Sequence, residues 1–324
     1  MTKATARAYP NMALVKYWGK RDPELMLPLT GSLSMTLDRF ATTTSVTRDP
    51  DLGGDAFQLN GEPVTGDALR RVTRFLDLVR ERSGIREPAL VRSRNDGPTA
   101  AGLASSASGF AALALAASKA YGLSLDPRDL SRLARRGSGS ATRSIVPGMA
   151  VWHAGEDDES SFAEPVGAPE IRMIVVVVDA ARKEISSREA MRRTALTSPY
   201  HRAWAESTEQ SLAAMLEACR DEDFTRMGRI AETNALRMHA AILACDPPIR
   251  YLEPKSLEVF DAIRALREQG VEVYGTADAG ANVVAIARPE DARRVAEALA
   301  DHGTVTEVGP GPGAELVDEA EADL

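Results

Sequence analysis

Residues 95–122 constrain this chain most, because they run from a small-residue loop directly into an alanine-rich helix. Their sequence is NDGPTAAGLASSASGFAALALAASKAYG. Small side chains let phosphate oxygens reach backbone amides, and the first turn of the helix directs its unpaired N–H groups and positive dipole end at the same place. The stretch 98–109 therefore indicates a phosphate site.

Composition alone leaves a second interpretation of this segment open. It is a tightly packed helix in which Ser105, Ser106 and Ser108 serve only as caps. The segment is not a Walker loop, because the required Gly-Lys-Ser/Thr ending is missing.

Length and periodicity predict an α+β protein of two packed domains. The chain has 324 residues, which exceeds the usual size of one compact domain. Residues 30–60 alternate apolar and small polar types, as strands do, and the apolar run 173–178 is typical of a strand buried on both faces. Helical patterns cover 67–84, 105–122, 127–137, 186–220, 222–243 and 254–269, and further strands are predicted at 271–276 and 282–287. We expect a domain boundary near residue 180.

Charge and cysteine content exclude several classes of protein. The formal net charge of −8 disfavours a general binder of nucleic acid or anionic membranes, although a local cationic pocket stays compatible with it. Cys219 and Cys245 are the only cysteines, which suggests neither a disulfide framework nor a metal cluster. The N-terminal segment lacks an apolar signal core, so we expect a cytoplasmic protein without a membrane anchor.

Two polar segments are candidates for binding an anion. VKYWGKRD, residues 15–22, places Lys16 and Lys20 beside two aromatic residues, and RRGSGSATRS, residues 135–144, offers hydroxyls followed by Arg143. Each also has a plain structural interpretation, as a solvated strand end and as a polar connection between helices.

One acidic residue, Asp278, stands between an apolar strand and a small-residue turn in TADAGANVV, residues 276–284. An isolated Asp at such a place is most often an Asx turn or a helix cap. We assign His239, in ETNALRMHA, to packing or local hydrogen bonding.

Six segments follow one another along nearly the whole chain: PNMALVKYWGKRD, LPLTGSLSMTLD, PTAAGLASSASG, RRGSGSATRS, SS-R-x-x-M-R-R-T-x-x-TSP and DAGAN. Together and in this order they resemble the diphosphomevalonate decarboxylase family of the GHMP small-molecule kinase superfamily. The phosphate loop alone would indicate only the superfamily. The combination of KYWGKRD, GSGSATRS and DAG-x-N is specific to the decarboxylase branch.

The resemblance implies a two-domain GHMP kinase fold. Its N-terminal domain, expected at 1–180, is similar to ribosomal protein S5 domain 2, and its C-terminal domain, expected at 181–324, is ferredoxin-like. ATP and Mg²⁺ are the implied cofactors, a small phosphorylated 3-hydroxy acid is the implied substrate, and a homodimer is the implied assembly. In such enzymes ATP phosphorylates a tertiary hydroxyl, and loss of that phosphate with carbon dioxide leaves an alkene.

The resemblance also implies a role for individual residues. Asp278 corresponds to the acidic residue beside the 3-hydroxyl, Lys16 to the cation between this Asp and the transferred phosphate, and Arg143 to the residue that fixes the substrate carboxylate. The groups expected around the substrate's phosphate end are Tyr17, Lys20, Ser138, Ser140, Ser187 and Arg188. The groups expected around ATP are Gly102, Leu103, Ala104, Ser105, Ser106, Ser108 and Gly109. No dedicated metal site is expected.

The chain departs from the family pattern at three places. Ala281 stands where the family usually has proline, TGSLS replaces a more usual serine-rich segment, and Val146-Pro147 replace an aromatic-glycine pair. Substrate preference therefore stays open. The resemblance favours decarboxylation of mevalonate 5-diphosphate to isopentenyl diphosphate. The alternatives are a decarboxylase of mevalonate 5-phosphate or a related acid, a relative that stops after phosphorylating the 3-hydroxyl, and a non-catalytic nucleotide-binding module.

Overall fold

The fold was analysed in a computed structural model, which describes residues 2–96, 105–179 and 184–318. The helices are α1 Gly66–Ser83, α2 Ser105–Ala120, α3 Pro127–Gly137, α4 Ala141–Ser144, α5 Ser187–Thr197, α6 His201–Arg220, α7 Phe224–Leu243, α8 Pro254–Glu268 and α9 Ala292–Leu299. The strands are β1 Lys3–Ala8, β2 Asn11–Val15, β3 Lys20–Asp22, β4 Leu27–Pro28, β5 Ser32–Thr36, β6 Thr42–Arg48, β7 Ala56–Leu59, β8 Glu62–Val64, β9 Ala89–Asn95, β10 Met149–Trp152, β11 Ala163–Pro165, β12 Arg172–Val177, β13 Val273–Thr276, β14 Val283–Ala287, β15 Thr304–Val308 and β16 Glu315–Leu316.

Three larger sheets organise these elements. The first has the strand order β16-β1-β6-β9-β7-β8, the second β11-β10-β5-β2 and the third β13-β14-β12-β15. All neighbouring pairs in the three sheets are antiparallel except β7 with β9. The domain boundary near residue 180 stays a prediction. Strand β12, which precedes it, pairs with β14 and β15, and β16 returns to the first sheet.

Helix α2 is alanine-rich because it is enclosed by other elements. It contacts β1 and β6 as well as α1, α3 and α4. Its buried alanines include Ala107, Ala111, Ala114 and Ala117, which have no exposed surface. Small side chains allow this close approach of helix to sheet, so the phosphate-loop candidate leads into a helix that is largely buried.

The helical stretch predicted at 186–220 is two helices. Helix α5 ends at its C-cap Ser198, which is extended at φ −77° and ψ 122°, and α6 begins at His201. Pro199 lies between them, and the residue before a proline is driven away from helical geometry. The apolar periodicity of the sequence continues across this break because both helices carry an apolar face, and it therefore predicted one helical stretch.

A shared apolar cluster joins the second and third sheets. It combines Leu14 and Leu33 with Met173, Ile286 and, from α7, Met227. The third sheet is covered on its other face by α8 and α9 through a separate cluster. Burial of one continuous cluster by both sheets stabilises their association.

Gly228 of α7 allows the closest helix-to-sheet contact in this cluster, since an added Cβ would overlap the ring of Tyr274. We expect Gly228→Ala to destabilise the protein by roughly 2 kcal/mol or more, because overpacking forces backbone or ring to move. The matched control is Gly109→Ala in α2, where no described atom lies within 4 Å of the added Cβ. That variant should be neutral or more stable by roughly 0.5–1 kcal/mol. Urea unfolding of ligand-free protein measures both, and equal stability changes would contradict the packing argument.

Candidate active site

A cavity of about 280 Å³ lies where the loops of both halves of the chain meet. It is lined by every residue that the sequence predicted as catalytic or substrate-binding, namely Lys16, Tyr17, Lys20, Ser138, Ser140, Arg143, Ser187, Arg188 and Asp278. These residues come from the loop after β2 and the start of β3, from the α3–α4 turn and α4 itself, from the start of α5, and from the loop after β13. The structure thus brings nine predicted residues together from four separate segments.

Lys16 and Asp278 form an ion pair at the floor of this cavity. The Nζ of Lys16 lies 2.7 Å from an Asp278 carboxylate oxygen and 2.7 Å from the carbonyl oxygen of Ala13. The Lys16 side chain is 1% exposed, whereas the Asp278 side chain is 30% exposed. Burial lowers the pKa of the Lys16 ammonium, and Asp278 opposes that effect. The carboxylate is therefore held by Lys16 and is partly exposed at the cavity that it lines.

Arg143 is a buried cation whose described hydrogen-bond partners are all neutral. Its Nε lies 2.8 Å from the Ser34 hydroxyl, its Nη1 donates to Ser32, and its Nη2 lies 3.1 Å from Oδ1 of Asn11. Burial lowers the pKa of Arg143 to about 10, and the charge of Asp278 opposes this shift. A desolvated guanidinium whose hydrogen-bond acceptors are all neutral can bind an anionic group of a ligand.

Asn11 is a site residue that sequence reasoning missed. Besides accepting from Arg143, it donates through Nδ2 to the hydroxyl of Ser144 at 2.8 Å and to the carbonyl of Ser140 at 3.0 Å. Asn11 therefore ties β2 to the turn that carries Arg143. The signal available was its place in PNMALVKYWGK, five residues before Lys16.

Three further cations form a cluster at the other end of the cavity. Lys20, Arg71 and Arg188 line the cavity, and none of them has a carboxylate oxygen within 4.0 Å among residues 2–96, 105–179 and 184–318. Burial lowers the pKa values of Lys20 and Arg71, and repulsion by Arg188 lowers them further. Mutual repulsion of this kind is relieved by a polyanion. Arg71 lies on α1, which the sequence indicated only as scaffold.

Hydroxyl groups complete the wall beside these cations. The hydroxyl oxygens of Ser106 and Ser138 are 3.3 Å apart, and those of Ser138 and Ser140 are 3.5 Å apart. The Tyr17 hydroxyl is buried without a hydrogen-bond partner among the described residues, and burial raises its pKa. It approaches Gly139 so closely that an added Cβ there would lie 2.8 Å from the hydroxyl oxygen. These groups stay protonated and can donate to an anion.

A second cavity of about 190 Å³ opens beside the first and shares Arg71 and Ser106 with it. Its remaining lining is mainly apolar, with a few polar groups, and comprises Thr42, Phe57, Leu59, Ala68, Val72, Val91, Ser93, Asn95, Gly109, Phe110 and Leu113. An apolar slot with a few polar groups suits a flat heterocycle. The guanidinium of Arg71 and the hydroxyl of Ser106 therefore lie where the two cavities adjoin.

The predicted ATP-binding residues are only partly accounted for. Ser106 lines both cavities and Gly109 lines the second, while Ser108 is buried with its hydroxyl 2.7 Å from that of Thr42. Gly102, Leu103 and Ala104 lie outside the described residues, as does the side chain of Ser105. Their roles stay predictions.

The described part of the chain contains neither a cluster of metal ligands nor a membrane-spanning helix. No group of three or more His, Cys, Asp or Glu side chains there could hold a metal ion. No helix within the same ranges is long and apolar enough to cross a bilayer. The fold and the cavities together define a two-domain enzyme that handles phosphorylated small molecules.

Comparison with known proteins places the chain more closely. The model described as the diphosphomevalonate decarboxylase-like N-terminal domain matches residues 8–163, and the model described as the mevalonate 5-diphosphate decarboxylase C-terminal domain matches residues 173–312. The chain belongs to the diphosphomevalonate decarboxylase family. The predicted family and the predicted two-domain α+β fold are thereby confirmed.

Three relatives illustrate the range of this likeness. A diphosphomevalonate decarboxylase of Ganoderma lucidum is 37% identical over 92% of this chain and 81% of its own length. A phosphomevalonate decarboxylase of Haloferax volcanii is 34% identical over 99% of both chains. A solved structure of MDDEF in complex with MVAPP, AMPPCP and magnesium is 43% identical, has a TM-score of 0.93, and covers 98% of this chain and 99% of that one.

His239, behind the ion pair, makes the protein's stability depend on pH. Burial lowers the pKa of its imidazole from the ordinary 6.5 to about 4, and Lys16 adds to the effect. Between these pH values the His239 imidazole binds a proton in the unfolded chain but not in the folded chain. The free energy of unfolding therefore falls as the pH falls from about 6.5 towards 4.

We expect His239→Asn to lose less stability than the parent between pH 7 and pH 5, with a difference of about 2 kcal/mol. The measurement is urea unfolding at pH 7 and at pH 5, in parent and variant. His302→Asn, at the partly exposed end of the short 3-10 helix Ala300–His302, controls for removal of a histidine. Parallel pH slopes for parent and His239→Asn would contradict the assignment of a buried neutral imidazole.

Proposed function

We propose that this chain catalyses the ATP-dependent decarboxylation of mevalonate 5-diphosphate to isopentenyl diphosphate, ADP, phosphate and carbon dioxide. The observation that carries the proposal is the Lys16–Asp278 ion pair facing the same cavity as the buried Arg143. A simple kinase would not require this ion pair, a phosphate site and a buried guanidinium suited to a carboxylate all together. The names of the family relatives support the same reaction.

In the first step, the carboxylate of Asp278 orients the 3-hydroxyl and accepts its proton. The hydroxyl oxygen forms a bond to the γ-phosphorus of ATP while the bond from that phosphorus to the bridging oxygen breaks, and ADP leaves. Lys16 offsets the charge on the phosphoryl oxygens and compensates the charge of Asp278. The hydroxyl of Ser106, at the junction of the two cavities, is suited to the transferring phosphoryl group.

In the second step, the carbon–oxygen bond to the new phosphate breaks and positive charge develops on the tertiary carbon. The electron pair of the bond to the carboxylate carbon then forms the alkene, and carbon dioxide is released. Arg143 fixes the carboxylate so that this bond lies in the reactive orientation. As the phosphate departs it takes back the proton that Asp278 accepted in the first step, and the negative charge restored to Asp278 stabilises the developing cation.

The positive charge of the cluster formed by Lys20, Arg71 and Arg188 favours a diphosphate over a monophosphate. Lys20, Arg71 and Arg188 supply three positive charges without a carboxylate in the described structure, and a diphosphate carries more negative charge than a monophosphate. The Haloferax volcanii relative bears the name phosphomevalonate decarboxylase, so a 5-phosphate substrate is the second candidate. A kinase that stops at the 3-phosphate is the third.

Mg²⁺ fits this site as a companion of ATP. No protein cage of three or more acidic, His or Cys groups is found in the described ranges, and Mg²⁺ is commonly held by substrate phosphates with few protein ligands. The Ser106 hydroxyl, at the cavity junction, is a suitable oxygen ligand. When bound, the ion neutralises charge on the phosphates.

We also propose a homodimer in the cytoplasm. Four large apolar side chains are exposed on the consecutive segment α5–α7: Leu196, Tyr200, Leu236 and Leu243. Exposed apolar side chains gathered on neighbouring helices suit contact with a second copy. Light scattering in solution measures the mass of the assembly directly.

Product stoichiometry tests the proposed reaction. We expect ADP, phosphate and carbon dioxide in equal amounts from mevalonate 5-diphosphate, because every phosphorylation leads to fragmentation. The same assay with mevalonate 5-phosphate should show a kcat/KM at least about tenfold lower, since one phosphate leaves a cation of the cluster unpaired. ADP without carbon dioxide from both substrates would refute decarboxylation and favour the 3-kinase. Equal kcat/KM values would refute selection of the diphosphate.

Asp278→Asn tests the role of the carboxylate. The change removes a negative charge with little change in shape, so the fold and ATP affinity should be retained at a lower free energy of unfolding, while kcat falls at least about 100-fold. Isothermal titration with an ATP analogue and a rate assay at saturating substrate separate the two quantities. A kcat within a few-fold of the parent would exclude Asp278 as the base.

A further inference from the structure

Asn234, on α7, holds the backbone of Lys16 from behind the candidate active site. Its Oδ1 accepts from the backbone N–H of Lys16 at 2.8 Å. Its Nδ2 donates to the hydroxyl of Thr208, on α6, at 3.0 Å. Asn234 and Thr208 are both 0% exposed, and neither lines the two cavities of the site. The two side chains therefore contact a catalytic residue without facing the space for the substrate.

The orientation of the Asn234 amide follows from the chemistry of its partners. A backbone N–H can only donate, so the atom that faces Lys16 is the amide oxygen. The NH₂ group then faces Thr208, whose hydroxyl oxygen can accept. Rotating the amide would place a buried donor opposite the N–H of Lys16, which is unfavourable. The pair of hydrogen bonds therefore fixes the amide in one orientation.

Lys16 needs this acceptor because it lies where β2 leaves the second sheet. The pairing of β2 with β5 shifts register between Ala13 and Val15, and its last pair is Val15 with Leu33. The N–H of Lys16 lies beyond this ladder, and its bond to Asn234 is buried. A buried backbone N–H without an acceptor is unfavourable. The Asn234 side chain thus replaces the missing strand partner.

The ammonium of Lys16 is held separately from its backbone. Nζ donates to the carbonyl oxygen of Ala13 at 2.7 Å and lies 2.7 Å from the carboxylate of Asp278. Ala13 belongs to the same strand as the start of this loop, whereas Asp278 comes from the other half of the chain. With the backbone N–H held by Asn234 and the ammonium by Ala13, the side chain of Lys16 has one direction, towards Asp278.

Helix α7 supports both members of the ion pair. On one side, Asn234 binds the backbone of Lys16. On the other, Gly228 of the same helix packs against the ring of Tyr274 in β13, the strand that leads into the Asp278 loop. A single helix therefore relates two loops from opposite halves of the chain, and Asn234 is its polar contact on the Lys16 side.

We propose that Asn234, oriented by Thr208, is a positioning residue, which fixes Lys16 in the reactive geometry and so sets the rate of phosphoryl transfer without touching the substrate. This inference rests on the proposed function. A displacement of about 1 Å at a reacting group can lower the rate about 100-fold. The opposing interpretation is that the bond only satisfies a buried N–H, in which case it affects stability and leaves kcat unchanged.

Removing the hydrogen bonds one at a time tests this role. We expect Asn234→Ala to lower kcat for ADP release at least about tenfold, with KM values for ATP and the phosphorylated acid within about threefold of the parent. Thr208→Val keeps the shape but removes the hydroxyl that orients Asn234, so kcat should fall at least about fivefold. Thr208→Ser retains the hydroxyl and should keep kcat within about twofold of the parent.

A double-mutant cycle with Lys16→Met shows whether Asn234 acts through Lys16. Lys16→Met removes the ammonium, and its residual ADP release is measured in single turnovers with enzyme in excess. In this background, Asn234→Ala should lower the rate by less than about twofold, because the group that it positions is gone. A loss as large as in the parent background would place the effect of Asn234 elsewhere and overturn the proposal.

The stability control is Val295→Ala, a buried position of α9 in the cluster on the far face of the third sheet. It should lower the melting temperature and leave kcat within about twofold of the parent. A kcat that falls with the melting temperature across all variants would reduce Asn234 to a structural residue. Equal kcat values for Thr208→Val and Thr208→Ser would exclude the hydrogen-bonded chain as the cause. This pair decides the matter if Asn234→Ala fails to fold or Lys16→Met shows no measurable rate.

ADP and carbon dioxide are measured together in every assay. A parent that releases ADP without carbon dioxide would overturn the proposed function, and the role of Asn234 would still be decided by the rates of ADP release. A parent that releases both products, with an Asn234→Ala variant of equal kcat, would overturn only the role of Asn234.

Discussion

The buried ion pair between Lys16 and Asp278 is the interaction on which the rest of this structure depends. Taking an ammonium out of water is unfavourable, and only a close carboxylate with additional hydrogen bonds offsets that cost. The two residues are 262 positions apart in the chain. The pair therefore forms only when β2 and β13 have both been placed by their own sheets, and assembly of the site is coupled to completion of the fold.

Local physical patterns predicted much of the architecture. Helix α1 was expected at 67–84 and spans Gly66–Ser83, and α3 was expected at 127–137 and has those bounds, with Asp126 as the N-cap. Caps and periodicity depend on neighbours in sequence, so the sequence alone could indicate them. The gathering of Arg143 and Asp278 in one cavity came from the family resemblance, because composition left each of them with a plain structural interpretation.

The parts that were missed depend on contacts between distant elements. Arg71 is one polar position on an amphipathic helix, and only the packing of α1 against Phe110, 5.0 Å from its guanidinium to the ring centroid, directs it to the cavity. The role of Asn11 depends on its hydrogen bonds to Ser140 and Ser144, which lie more than 100 residues later in the chain. The break between α5 and α6 could have been found locally, since Pro199 marks it.

The apolar cluster that joins the second and third sheets has a consequence for motion. A large hydrophobic contact between two units resists rotation of one against the other, and β16, which crosses back to pair with β1, adds a second connection. Hinge bending of whole domains is therefore a poor way to admit ligands to this enzyme. Access and closure are left to short segments at the rim, so gating here is a matter of loop rearrangement on a fixed frame.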